Sequence, residues 1–122
     1  MLPADHRLTD PGSFRRATKL GRRSGSRLLV THLLLAEDAE QRPAQVGFVV
    51  SRAVGSAVRR NRVKRRLRHA MRDLVALLPP AAVLVVRAQP AAASSSSAEL
   101  AADLDRCLRR SLAHAPSARV AR

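Results

Sequence analysis

Tryptophan and tyrosine are missing from the chain, and its aromatic side chains number two, Phe14 and Phe48. A core with so few rings has to be filled by leucine and valine, with much alanine that contributes little per residue, so modest stability is expected. Cysteine is nearly absent as well. Cys107 stands alone, which excludes an internal disulfide framework, and so a disulfide partner within the chain, and a cysteine-based zinc site. Its neighbours Leu104 and Leu108 place it on the apolar face of a helix, as a small buried hydrophobe. Long apolar runs are lacking. The longest, 28–35 and 74–86, are interrupted by Thr31 and His32 and by Pro79-Pro80, and both fall short of the ~20 residues of a spanning helix. The opening Met1-Leu2-Pro3-Ala4-Asp5-His6-Arg7 lacks the apolar stretch of a signal peptide. A cytoplasmic protein with no membrane partner is expected.

Acids are the scarcest feature relative to their counterparts. Nine Asp and Glu face 23 Lys and Arg, for a net charge of +14. So much like charge in 122 residues repels itself unless a polyanion is present. With membranes set aside, nucleic acid is the favoured partner. Lys19 and Lys64 are the only lysines. Arginine's planar fork suits bidentate contact with phosphate. A GC-rich genome produces the same bias toward Arg and Ala, so the ratio carries little weight.

The length suits one domain, over residues 1–114, with 115–122 as a disordered tail. Residues 1–9 read as an irregular lead. Asp10-Pro11 opens a short helix as N-cap and first helical residue, and Gly21 ends it. Residues 22–26 read as a basic turn. Residues 28–36 read as a strand, followed by a hairpin loop holding Glu37, Asp38, Glu40 and Pro43, with the return strand at 45–51. Ser56 caps a long helix over 57–78, whose apolar residues Val63, Leu67, Ala70, Met71, Leu74, Leu77 and Leu78 recur every three or four positions. Pro79-Pro80 stops it. Residues 81–87 form an apolar, hence central, strand. The Ala/Ser-rich stretch 89–98 reads as a loop without packing power. Ser96 and Glu99 fit a capping box for the last helix, which carries Leu100, Leu104, Cys107, Leu108 and Leu112 on one face. The order helix-strand-strand-helix-strand-helix predicts an α+β protein, a two-layer α/β sandwich.

The segment from Ser51 to Arg72 contains no acid at all. On a helix Arg60, Lys64 and Arg68 follow at i, i+4 and i+8, with Asn61 and Arg65 beside them and Arg59, Arg62 and Arg66 on a second flank. Ordinary solvated faces mix both signs, so a face of one sign points to phosphates. Asn61 is a mediocre mid-helix residue, suited to hydrogen-bonding RNA or to fixing the neighbouring arginines.

The string Gly55-Ser56-Ala57-Val58-x-Arg60-Asn61-Arg62-Val63-Lys64-Arg65-x-x-Arg68 closely resembles the signature of the bacterial ribonuclease P protein subunit, with its central Arg-Asn-Arg followed by Lys-Arg. Leu8, the pair Ser13-Phe14, the strand Val46-Gly47-Phe48-Val49-Val50-Ser51 and the later strand with Arg87 extend the resemblance over roughly residues 7–112. It implies an α/β sandwich with a left-handed βαβ crossover. It implies that the motif helix lies on the catalytic RNA through Arg52, Arg59, Arg60, Asn61, Arg62, Lys64, Arg65, Arg66 and Arg68. A cleft between the sheet and the first helix would receive the single-stranded 5′ leader of precursor tRNA, at Phe14, Thr18, His32 and Phe48. The RNA subunit, with Mg2+, would do the chemistry of this endonuclease, so that the polypeptide supplies no catalytic residue and no metal site.

The residues agree with that division. His6, His32, His69 and His114 are scattered without acid partners at a recognisable spacing, so no general acid–base set is visible. Glu37, Asp38 and Glu40 read as a solvated turn rather than a metal site. The chain departs from the family at Thr18 and His32, where aromatics are expected, and at Arg52-Ala53 and Ser56. Leader binding would then lean more on charge and less on stacking. A ribosomal or ribosome-assembly protein is the main alternative reading. An architectural DNA-binding protein fits less well, because a strand leads into the basic helix and Pro79-Pro80 blocks a zipper. A protein-only nuclease would need a carboxylate cluster.

Overall fold

The Asp10 carboxylate accepts hydrogen bonds from the backbone N–H groups of Gly12 and Ser13, and Pro11 takes the first helical position. These open helix α1, Pro11–Leu20, as expected for a Pro-started, Asp-capped turn. The computed structural model describes residues 3–36 and 42–114. The acids Glu37, Asp38 and Glu40 and the tail 115–122 lie outside the described residues.

After α1 come β1 Arg22–Gly25, β2 Leu29–Leu34, β3 Gln45–Val49, α2 Ala57–Arg72, β4 Val83–Ala88 and α3 Ser97–His114. The four strands form one sheet in the order β1-β2-β4-β3. β1 is antiparallel to β2, and β2 antiparallel to β4, whereas β3 runs parallel to β4. The α+β class holds. Two helices, α2 and α3, cover one face of the sheet over Leu29, Leu33, Val46, Leu84 and Val86. Among the described residues the opposite face carries α1 and Leu8 of the lead, in a small second cluster with Ala17 and Val85.

Four local expectations need correction. Strands β2 and β3 are not a hairpin, because β4 lies between them. β4, with Leu84, Val85 and Val86 fully buried, takes an interior position beside β2, flanked on both edges and both faces. The segment read as a basic turn is the edge strand β1. Its ladder to β2 runs from Arg22↔Leu33 to Gly25↔Val30, and only Ser24 is buried, so it gives no apolar alternation to read.

The basic helix stops at Arg72, and a 3-10 turn over Val75–Leu77 follows. Sixteen residues span roughly 24 Å at ~1.5 Å each, and a helix running on to 78 would overshoot the sheet before the chain returned to begin β4. Leu78 is held extended before Pro79, as the proline ring demands. The Ala/Ser-rich loop does pack. A 3-10 turn over Pro90–Ser94 buries Ala92 completely and lays Ala91 and Ala93 against the main core.

The irregular lead is also tied down. Leu8 N–H donates to Val46 O (2.9 Å), Arg7 bridges Val46, and His6 Nδ1 lies 2.7 Å from Ala44 O, so the lead covers part of the outer edge of β3. The capping box of α3 forms as read. Ser96 N–H donates to Glu99 Oε1 (2.8 Å), and Glu99 N–H donates to Ser96 Oγ (3.1 Å). Cys107 is buried beside Leu104 and Leu108.

Candidate nucleic-acid interface

Gly55 stands at φ 146°, a conformation open to glycine and strained for other residues, and so turns the chain from the Arg52–Val54 turn into α2. Ser56 Oγ then accepts from Arg59 N–H (3.3 Å) and starts the helix. Val63, Leu67, Ala70 and Met71 face the core. That fixes the opposite side. Arg52, Arg59, Asn61, Arg62 and Arg65 are exposed, and Arg60, Lys64, Arg66 and Arg68 are half-buried on the flanks.

Not all of these cations are equally available. Arg66 Nη1 donates to the Ser95 carbonyl (2.8 Å), which pins α2 to the turn before α3. Arg60 has its Nε buried without a partner. Asn61, Lys64, Arg65, Arg68 and His69 line a concavity of about 530 Å³ along one flank. Helix α3 neutralises two of its arginines through Arg106–Asp103 and Arg109–Asp105, whereas no α2 cation is ion-paired among the described residues. Crowded like charges at i, i+3 and i, i+4 destabilise a free helix, and phosphates remove that repulsion.

On the opposite face of the sheet, α1 presents Phe14, Ala17 and Thr18. A Cβ at Gly47 would overlap the Phe14 ring, so the ring lies directly on the β3 backbone. Thr18 spends its hydroxyl within the helix, donating to Phe14 O (3.0 Å) and Arg15 O (3.1 Å). His32 points to the same face, opposite Arg23 on β1 and Val85 on β4. It is 8% exposed, and its Nδ1 has no partner.

Phe48 is not with them. Strand alternation turns Gly47 toward α1, so Phe48 follows Val46 to the other face and packs half-buried against the α2/α3 core. Its expected place in one cleft with Phe14, Thr18 and His32 is corrected accordingly. The cleft instead gains Arg23 and Arg87, which the sequence reading left out. Both are exposed, and both act electrostatically on His32. Only the strand register reveals them. Arg23 lay in an apparent turn, and Arg87 was one cation ending an apolar run.

Burial, then Arg87, then Arg23 hold the His32 pKa below its ordinary value. The unfolded chain therefore binds this proton more readily than the folded one. Stability is full above about pH 6.5 and is lost as pH falls below it. Melting temperatures recorded from pH 8 to 5 should fall more steeply for the native protein than for His32→Phe. Parallel profiles would contradict the assignment.

Four of the described acids are occupied elsewhere, and Asp105 is one of them through Arg109. Asp10 caps α1, Glu99 caps α3, and Asp103 holds Ser26 (2.5 Å) and Arg106. No group of three potential metal ligands occurs among the described residues. No helix among them is long and apolar enough to cross a membrane.

Fold and site thus define a small, highly basic α+β protein with a one-sign helix face and a half-covered sheet. The ribonuclease P family model matches residues 2–112. The ribonuclease P protein component of Nocardioides sp. is 62% identical over 110 residues, covering 90% of this chain and 94% of that one. The Streptomyces avermitilis component is 52% identical over 118 residues, with 92% and 96% covered. Among solved structures, the Staphylococcus aureus RNase P protein superposes with a TM-score of 0.74 at 23% identity, covering 85% of this chain and 93% of that one. The Thermotoga maritima RNase P protein gives 0.71 at 23%, with 85% and 96% covered. These last two show the shared fold. The chain belongs to the ribonuclease P protein component family. Membership makes it a subunit of a tRNA-processing ribonucleoprotein endonuclease and displaces the ribosomal reading.

Proposed function

We propose that this protein grips the ribonuclease P RNA with the exposed face of α2 and receives the 5′ leader of precursor tRNA between α1 and the sheet, in the cytoplasm. The observation that carries the first half is the acid-free α2 face with no ion pair among the described residues. For the second half, Phe14 offers an aromatic surface, and His32, Arg23 and Arg87 line the same sheet face. An unpaired strand needs stacking surface and cations together. Among the described residues no three potential metal ligands group together, so the side chains do not assemble a magnesium site. In this reading Mg2+ is held by RNA, and the RNA cuts. The protein's share is binding and orientation.

Reconstitution with ribonuclease P RNA tests this. Purified protein with magnesium and no RNA subunit should leave precursor tRNA intact. Phe14→Leu keeps apolar volume and removes the π-face. It should reduce the holoenzyme's preference for precursor over mature tRNA at least fivefold, corresponding to about 1 kcal/mol of stacking. Cleavage that follows the protein through purification, or an unchanged preference, would overturn the corresponding half.

A further inference from the structure

Between α2 and α3 lies a groove of about 450 Å³. Its floor is apolar, made by Ala70 and Leu74 of α2 and Ala101 of α3. Each helix contributes an alanine there, so the two pack without filling the space. Arg65 and Arg66 line one end. Arg66 is fixed in advance, because its Nη1 donates to the Ser95 carbonyl (2.8 Å) just before α3 begins. Asp73, the C-cap of α2, is the only carboxylate lining the groove among the described residues, and it is exposed. It stands two turns beyond Arg66, roughly 11 Å along the axis at ~1.5 Å per residue. The groove therefore has a cationic end, an apolar middle and an acceptor at the far end. Grooves of this size, apolar with a few fixed polar groups, hold small organic ligands.

The geometry points to a site for a free guanine nucleotide, a nucleoside diphosphate in class: its phosphates on Arg65 and Arg66, its ring over Ala70, Leu74 and Ala101, and its N1–H and amino group donating to the Asp73 carboxylate. An ionised carboxylate only accepts, through two oxygens. Guanine presents two donors side by side to it, whereas adenine presents one donor and a repelling lone pair. Helix α3 carries three acids beside its three arginines, so it does not extend the one-sign track of α2. A single small anion suits the groove better than a run of phosphates. Arg65 and His69 line both this groove and the concavity on the other flank of α2. A diphosphate held on Arg65 takes that cation from the ribonuclease P RNA, so nucleotide and RNA compete. The competition rests on the proposal that α2 grips the RNA, and the site itself does not.

Calorimetric titration of the full chain with GDP, ADP and pyrophosphate, at matched ionic strength, tests the site. GDP should bind about tenfold tighter than pyrophosphate, which has the charge without the ring, and about fivefold tighter than ADP. Ala101→Leu fills the floor and leaves every cation in place. It should abolish both preferences while pyrophosphate binds as before. Asp73→Asn should remove the preference for GDP over ADP alone, and serves if Ala101→Leu fails to fold. At matched free magnesium, saturating GDP should weaken RNA-subunit binding about fivefold beyond the effect of pyrophosphate, as one lost phosphate contact would, and should not do so in Ala101→Leu. Equal affinities for GDP and pyrophosphate would reduce the groove to charge alone and overturn the site. Weaker RNA binding by Ala101→Leu without nucleotide would put RNA in the groove and overturn it too. Tight GDP binding without competition would overturn the shared use of Arg65. Undiminished RNA affinity in Arg65→Ala would instead remove the α2 reading on which the competition stands.

Discussion

Replacing Arg52, Arg59, Arg62 and Arg65 together by alanine should lower affinity for the ribonuclease P RNA about a thousandfold at 0.1 M salt, with no loss of folded stability. The estimate follows from counterion release: four contacts at ~0.7–0.9 each remove about 3 from the log–log salt slope, or about three decades between 1 M and 0.1 M. All four side chains are exposed, whereas Arg60 and Arg66 are partly committed to the protein and would confuse the reading. Alanine is the best helix former, and its introduction removes the i, i+3 repulsions of Arg59 with Arg62 and Arg62 with Arg65. The variant should therefore melt at the native temperature or above it. Filter-binding isotherms over a salt series check the slope. An unchanged slope with weaker binding would mean that α2 acts through base contacts or packing.

That face was legible because charge patterning on a helix is local. The spacing of Val63, Leu67 and Met71 places Arg62 and Arg65 outward, and Arg59, on their row, is exposed because it stands in the first turn of α2. The same holds for the helix starts, where Asp10 with Pro11 and Ser96 with Glu99 act within one turn. Strand pairing is a different problem. β2 and β3 are consecutive in sequence and were paired for that reason, but β4 arrives later and fits between them, buried on both faces as β2 is. β1 escaped notice because an edge strand covered by α3 needs backbone partners, not apolar side chains. Arg110 of α3 reaches the Ser24 hydroxyl and the Gly25 carbonyl there (3.4 Å each). Strand alternation puts Phe48 on one face with Val46. Which face that was depended on Gly47 lying under Phe14, a contact made by residues 33 apart in sequence.

Gly47→Ala should destabilise the protein by roughly 2–3 kcal/mol, because the new methyl occupies the space of the Phe14 ring. A Cβ there overlaps that ring and also comes within 3.1 Å of Leu8 Cδ2. The β3 backbone is held by its ladder to β4 and cannot retreat, so the ring has to swing out. Losing the burial of one large apolar side chain costs about 1.5–3 kcal/mol. In a domain of this size the melting temperature should drop by on the order of 10 °C. The diagnostic is non-additivity. With Phe14→Ala already in place the methyl meets an empty site, and Gly47→Ala should then cost little beyond the Leu8 contact, leaving a coupling of about 1–3 kcal/mol in the double-mutant cycle. Denaturant melts of the four proteins measure it. The functional side separates the two faces of the sheet. Gly47→Ala should lose discrimination between precursor and mature tRNA as Phe14→Leu does, yet keep the native salt slope for the RNA subunit, since α2 is untouched. Additive stabilities would show that Phe14 does not rest on Gly47. A changed slope would show that the α1 cleft and the α2 face act as one surface rather than two.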